Sequence, residues 1–143
     1  MQQSKALVVK VTMNKILFFV IILLASVSSK ANEEILLAYA YNFPLLICYN
    51  DEYRACYKDI ELELCAIELK KYRESCLQKV SDPASPNAVA GLAACMVASH
   101  AGADSFENIS DPCIKVKGMN INISQNTKKI KEADPKWVEN ILE

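Results

Sequence analysis

Six cysteines constrain this chain of 143 residues more strongly than any other feature. All of them follow an apolar N-terminal segment: Cys48, Cys56, Cys65, Cys76, Cys95 and Cys113. An even number of cysteines behind an export signal is typical of a small domain held by disulfides. We therefore expect no free thiol and a disulfide framework that involves all six residues.

The N-terminal segment has the layout of a secretory signal peptide. Three lysines without an acid precede an uninterrupted apolar run at 16–25, and small residues follow. We place cleavage after Ala31, although Ser28 and Ser29 serve nearly as well, and Met13 is an alternative start. An uncleaved membrane anchor is the other interpretation, but a spanning helix needs about 20 apolar residues and this run is shorter.

Removal of the signal peptide, residues 1–31, leaves one domain at 32–143, with a less regular segment from residue 114 onward. The leader carries four of the 16 basic residues and none of the 17 acidic ones, so the remainder has a formal net charge of −5. This negative charge argues against non-specific binding of nucleic acid, and we expect no nucleic-acid partner.

The apolar pattern of the remainder predicts an all-α fold, a small disulfide-stapled bundle of about four helices. We expect the first helix at 33–43, because Pro44 disfavours helical backbone at the residue before it. Pro44 could equally open the second helix, which runs to about Lys58. Asp59 is the expected N-cap of a third helix at 60–80. Apolar residues at steps of three and four give this helix one buried stripe: Leu62, Cys65, Leu69, Tyr72, Cys76 and Val80.

A fourth helix is predicted from capping residues at both of its ends. Ser85 as N-cap with Pro86 at the first helical position favours a start there. Gly102 favours an end near residue 101, because glycine accepts the left-handed conformation that follows many helices.

The pattern of apolar and polar residues changes in the C-terminal part of the chain. Apolar and polar residues alternate over 114–124 around Gly118, which predicts a short β-hairpin, with an irregular tail as the alternative. Asp134 and Pro135 then predict the start of a last short helix.

Helix geometry limits how the cysteines pair. Cys65 and Cys76 lie 11 positions apart on the predicted third helix, about 16 Å, which is too far for a disulfide. The same argument excludes Cys48–Cys56 if the second helix is continuous. Pairings that cross onto the fourth helix, such as Cys76–Cys95, stay open. The simplest arrangement is an antiparallel hairpin with the pairs Cys56–Cys65 and Cys48–Cys76, which leaves Cys95–Cys113.

The sequence contains few residues that could bind a metal or catalyse a reaction. No cysteine pair has the spacing of a zinc site or of a thioredoxin-like redox motif, so we expect no metal and no cofactor. The one histidine, His100, falls at a predicted helix C-terminus, where a cationic side chain interacts favourably with the helix dipole. We interpret it as a helix-end residue rather than a catalytic one.

The best candidate binding residues are tyrosines. Tyr49, Tyr53 and Tyr57 step by four along the predicted second helix and would line one side of it. A tyrosine ring buries apolar area while its hydroxyl stays hydrated, which suits an interface. The alternative is that these rings are half-buried core packing.

A run of lysines gives a second candidate surface. Residues 115–131 contain no acid and five lysines: Lys115, Lys117, Lys128, Lys129 and Lys131. On a negative domain such a segment could meet an anionic membrane surface, a glycan or an acidic partner. A solvated tail is the more ordinary interpretation.

The order of the cysteines resembles that of small exported helical multi-cysteine proteins of bacteria. The similarity covers about 43–113 and consists of Cys56, Cys65 and Cys76, then Cys95 after a proline-containing loop, then Cys113. The resemblance implies a helical stapled fold and a periplasmic or extracellular location. It implies no activity and no functional residue.

The expected function is therefore that of a secreted or periplasmic, non-enzymatic binding or inhibitory module with a protein partner. The alternatives are a carrier of a small apolar ligand and, less favoured, a small secreted hydrolase. A binding module should expose an aromatic patch, and a carrier should enclose an apolar cavity of some hundreds of Å³. A hydrolase should bring acids or His100 together with a nucleophile in a cleft.

Overall fold

The computed structural model describes residues 30–143, so nearly all of the predicted signal peptide lies outside the described residues. The described chain is all-α and contains no β-strand. Its eight α-helices and one 3₁₀ helix (Phe106–Asn108) are short. In chain order the α-helices are α1 (30–48), α2 (Asp51–Ala55), α3 (Leu62–Lys70), α4 (Arg73–Gln78), α5 (Ala88–His100), α6 (Pro112–Met119), α7 (Ile123–Glu132) and α8 (Pro135–Leu142).

The all-α class is confirmed, whereas the predicted number of about four helices and the β-hairpin are wrong. The segment expected to form the hairpin belongs to α6 and α7. Helix α6 starts because the Asp111 side chain accepts the backbone N–H of Cys113 at 2.8 Å, with Pro112 at the first helical position. The Asn122 side chain caps α7 in the same way by accepting the N–H of Gln125 at 2.9 Å.

Pro44 lies inside α1 and does not separate two helices as predicted. An internal proline removes one hydrogen bond and costs about 3 kcal/mol. Burial offsets this cost through one stripe of α1 that enters the core, consisting of Leu36, Ala40, Phe43 and Ile47. Arg73 Nη2 adds a contact to the same segment by donating to the carbonyl of Tyr41 at 3.1 Å.

The predicted third helix is divided into α3 and α4 by a turn at residues 71–72. Asp59 is not its N-cap, because Asp59 has the left-handed φ of 56° and Glu61 occupies the cap position. The apolar stripe is nevertheless confirmed. Cys65, Leu69 and Cys76 are fully buried, and the other members pack against the core: Leu62, Tyr72 and Val80.

Helix α5 lies at the centre and packs against α3, α4, α6 and the 3₁₀ helix. It begins at Ala88 rather than at Pro86, and its predicted end at Gly102 is confirmed by a φ of 73°. The N–H of Ala103 returns to the carbonyl of Ala98 at 2.9 Å, which closes the helix with a Schellman motif. A Cβ atom at Gly118 would lie 2.7 Å from Val97 Cγ1, so glycine lets α6 approach α5 closely.

Three disulfides connect the helices, and none of the six cysteines is free. The arrangement that the sequence favoured is wrong, because a turn after α1 places Cys48 and Cys56 on separate elements instead of on one continuous helix. The alternative pair Cys76–Cys95 is present, and the two excluded pairs do not form. The bridges are Cys48–Cys65 between α1 and α3, Cys56–Cys113 between α2 and α6, and Cys76–Cys95 between α4 and α5.

The last helix forms as predicted. Asp134 accepts the backbone N–H groups of Lys136 at 2.8 Å and Trp137 at 3.2 Å, and Ile141 and Leu142 are buried where α8 packs against α3. Within residues 30–143, no helix combines the length and the apolar character that a bilayer crossing requires. The three disulfides indicate folding in an oxidising compartment.

Candidate functional site

The three predicted binding tyrosines do not line one side of one helix. Tyr49 lies in the turn after α1, Tyr53 lies in α2, and Tyr57 lies in the turn after α2. Tyr53 is fully buried and offers no surface to a partner, so for this residue core packing is the correct interpretation. Tyr49 and Tyr57 are half-buried, and their role in binding stays a prediction.

Tyr53 belongs to a buried polar cluster around His100. The hydroxyl of Tyr53 lies 2.8 Å from His100 Nδ1, and His100 Nε2 lies 3.2 Å from a carboxylate oxygen of Glu68. A hydrogen bond of 3.3 Å joins the hydroxyls of Tyr53 and Tyr57, and the Tyr57 ring packs on the imidazole with centroids 4.3 Å apart. Because Glu68 can only accept when ionised, the neutral imidazole donates from Nε2, and Nδ1 accepts from Tyr53.

The chemistry of this cluster favours structure over catalysis. Burial raises the pKa of Tyr53, so the phenol stays protonated. Burial lowers the pKa of His100, while the hydrogen bond and the charge of Glu68 oppose that shift. The hydrogen-bond partners of the imidazole are a phenol and a carboxylate. No cysteine thiol can serve as a nucleophile, because every cysteine is in a disulfide. The cluster ties α5 to α2 and α3.

His100 is expected to make the protein less stable in weak acid. An unfolded histidine gains its proton near pH 6.5, whereas the folded His100 has a lowered pKa and gains it at lower pH. The free energy of unfolding should therefore fall as the pH drops below about 6.5, by at most about 1.4 kcal/mol per pH unit. Urea unfolding of the wild type and of His100→Gln between about pH 7 and 5 measures this. Parallel pH profiles would contradict it, and a rise in acid would show that Glu68 outweighs burial.

An open and mostly apolar groove lies between α1 and α7. It has a volume of about 480 Å³ and is lined by Ile35, Ala38, Tyr39, Asn42, Leu46, Thr127, Ile130 and Lys131. It continues past Tyr39 into a neighbouring open cleft that Ile123, Ser124 and Lys128 also line. We call these two clefts together the α1–α7 groove.

The groove exists because α1 is apolar on two faces. One face enters the core, and the other presents Ile35, Tyr39 and Leu46 to the groove, with Ile35 51% exposed. A helix that is apolar all round normally has partners all round. The buried amide of Asn126 holds α7 beside this face, because its Nδ2 donates to the carbonyl of Leu46 at 2.8 Å.

The predicted lysine segment does not form a single patch. Lys117 pairs with Glu52, and Lys129 turns toward the Tyr49 carbonyl at 3.4 Å. Lys128 and Lys131 instead line the α1–α7 groove, where the lining residues include no carboxylate. Lys128 has one weak ion pair with Glu132 at 3.8 Å, and both side chains are largely exposed.

Tyr49 lies in a separate, polar cleft of about 310 Å³. Its other lining residues are mostly amides and charged groups: Asn50, Asp51, Glu52, Asn120, Asn122, Gln125, Asn126 and Lys129. The Lys129 ammonium lies 5.8 Å from the centroid of the Tyr49 ring. This contact occupies part of the tyrosine surface that the sequence offered to a partner.

The sequence did not identify the groove residues of α1, although a signal for them was present. Residues 35–47 carry apolar side chains around the whole circumference of a helix. One buried stripe cannot account for all of them, so a second apolar face could have been expected.

No family model matches this chain, and no match was found among the curated proteins or the solved structures. The chain is a small, helical, disulfide-rich protein, and the resemblance to exported bacterial proteins gains no support from a family match. Among the described residues, no group of three or more histidine, cysteine, aspartate or glutamate side chains is placed to hold a metal ion.

Proposed function

We propose that this protein is an exported, non-enzymatic binding module and that the α1–α7 groove is its binding surface. The observation that carries the proposal is the exposed apolar surface between α1 and α7, with Ile35 of α1 51% and Ile123 of α7 36% exposed. Contiguous apolar surface rimmed by polar residues marks interaction sites in proteins of this size. The expected aromatic contribution comes from Tyr39, which lines both parts of the groove.

The two alternative functions receive less support. A carrier of a small apolar ligand should surround that ligand, whereas the α1–α7 groove is open along its length. A hydrolase using His100 would need an accessible imidazole beside a nucleophile. The His100 side chain is 4% exposed, and its two nitrogens are engaged by Tyr53 and Glu68.

Export of the protein is part of the same proposal. The apolar run at 16–25 supports it, and so do disulfides that connect distant parts of the chain. The location would be the periplasm or the outside of the cell, where disulfides persist.

Site-specific photo-crosslinking in the host that makes the protein tests the proposal. A photoreactive phenylalanine analogue at position 35 should yield a defined covalent adduct with a partner, because this side chain is exposed in the groove. The same analogue at position 64 is the matched control, since Leu64 is 50% exposed on α3 and does not line the groove. An adduct from position 35 alone supports the groove, and equal labelling or no labelling contradicts it.

A further inference from the structure

We infer that the occupant of the α1–α7 groove is an acidic amphipathic helix of a partner protein. The inference rests on the proposed function and adds the chemical class of the partner. It is carried by three observations: the shape of the groove, the charges on its rim, and the charge of the rest of the domain.

The shape of the groove fits a helix. Its α1 wall extends from Ile35 to Leu46, which corresponds to about 16 Å or three helical turns. Side chains of α7 between Ile123 and Lys131 line the opposite side and make the groove a mostly apolar trough. An amphipathic helix fills such a trough with residues at positions i, i+3, i+4 and i+7, as in other helix-in-groove complexes.

The rim of the groove requires negative charge on that helix. Lys128 and Lys131 lie on the α7 side, three residues apart, about 4.5 Å along the helix axis. No carboxylate lines the groove, and Lys131 takes part in no ion pair among the described residues. Glutamates or aspartates three or four residues apart on the partner helix would therefore meet both ammonium groups.

The net charge of the rest of the domain makes the groove selective for an acidic helix. Residues 32–143 have a formal net charge of −5, so an acidic helix is repelled by most of the surface and attracted at the groove. An anionic bilayer fits less well, because a flat surface cannot reach Leu46, which is 3% exposed on the groove floor. The same net charge repels such a bilayer.

A displayed library of random peptides of about 16 residues, long enough for about four helical turns, provides the probe. Selection on the immobilised, disulfide-intact protein should enrich peptides with apolar residues at helical spacing and acidic residues beside them. The enriched peptides are then synthesised, and their dissociation constants are measured at about 50 and 300 mM salt. We expect binding to weaken with salt, because the lysine contacts are exposed.

Matched variants locate the peptide on the surface. Ile35→Glu should weaken binding by about tenfold or more, and Lys131→Glu by about fivefold with a flatter salt dependence. Leu64→Glu and Lys71→Glu place the same changes on exposed positions of α3 and its C-cap, and they should change binding by less than about twofold. All four side chains are exposed, so the variants are expected to fold.

Four results would overturn the inference. They are the absence of any enriched helical peptide, enrichment of basic peptides, preferential binding to vesicles that contain phosphatidylglycerol, and self-association that Ile35→Glu abolishes. The last two would assign the groove to a membrane surface or to a second copy of this chain. A specific adduct from position 35 together with any of these results would retain the binding surface and reject only the acidic helix.

Discussion

Replacing Leu69 with alanine is expected to lower the free energy of unfolding by about 2–5 kcal/mol. Leu69 is fully buried on α3, the helix that packs against both α5 and α8. Alanine removes the apolar contacts and leaves a cavity that the surrounding helices, held by disulfides, can close only in part. Urea unfolding followed by circular dichroism measures the difference with the disulfides intact.

The same helix supplies the control. Leu64 is 50% exposed, so Leu64→Ala deletes the same atoms with little loss of burial and should change stability by about 0.5 kcal/mol or less. Lys71→Ala, in the turn after α3, should have a similarly small effect. Equal, small effects of Leu69→Ala and Leu64→Ala would show that the stripe does not carry the core.

Removing the Cys56–Cys113 disulfide by a double replacement with serine is expected to cost about 4 kcal/mol. The two cysteines are 57 residues apart, so their bridge closes the longest loop of the three and restricts the unfolded chain most. Cys113 is exposed and Cys56 is half-buried, so the replacement leaves little cavity. The loss should therefore come mainly from the unfolded state.

An effect that comes from the unfolded state can be measured separately. A less restricted unfolded chain exposes more surface, so the dependence of unfolding free energy on urea concentration should become steeper in the double variant. Ser110→Ala, an exposed change close to Cys113, should alter neither quantity appreciably. A loss below about 1 kcal/mol, or an unchanged slope, would contradict the role of this loop.

Local capping chemistry identified two helix ends correctly, but it failed at Asp59 and at Ser85, which do not cap the helices that follow them. Asp134 with Pro135 predicted α8, and Gly102 predicted the end of α5. Asp111 with Pro112 carries the same signature and starts α6, but the alternation of isoleucine, valine and lysine after it favoured a hairpin. Alternation over so few residues is compatible with the period of a strand and with that of a helix, and the N-cap decides between the two.

Tertiary contacts account for the helix boundaries that the sequence could not provide. Pro44 is a local argument against a continuous helix, and it is outweighed by the burial of one face of α1 in the core. The position of Tyr53 is a similar case. Its spacing from Tyr49 and Tyr57 suits a surface stripe, but the hydrogen bond to His100, 47 residues away, places it in the core.

Of the candidate site, only the lysines could be predicted from the sequence, and their position could not. The lysines of residues 115–131 were identified, yet only Lys128 and Lys131 reach the groove, because α7 turns Lys129 to its other side. The apolar half of the groove belongs to α1, which lies about 80 residues earlier in the sequence, as the bond from Asn126 to Leu46 shows. No pattern within a short stretch of sequence shows that two such distant segments lie side by side.

The connectivity of the disulfides has a consequence for how the protein is made. A polypeptide that enters an oxidising compartment with its N-terminus first presents Cys48 and then Cys56, and sequential oxidation would join these two. The native bridges instead connect the first cysteine to the third and the second to the last. Cys56 must stay unpaired until Cys113 is available, or a wrong bridge must be exchanged afterwards. Under the export proposed above, correct folding therefore requires either delayed oxidation of Cys56 or thiol–disulfide exchange.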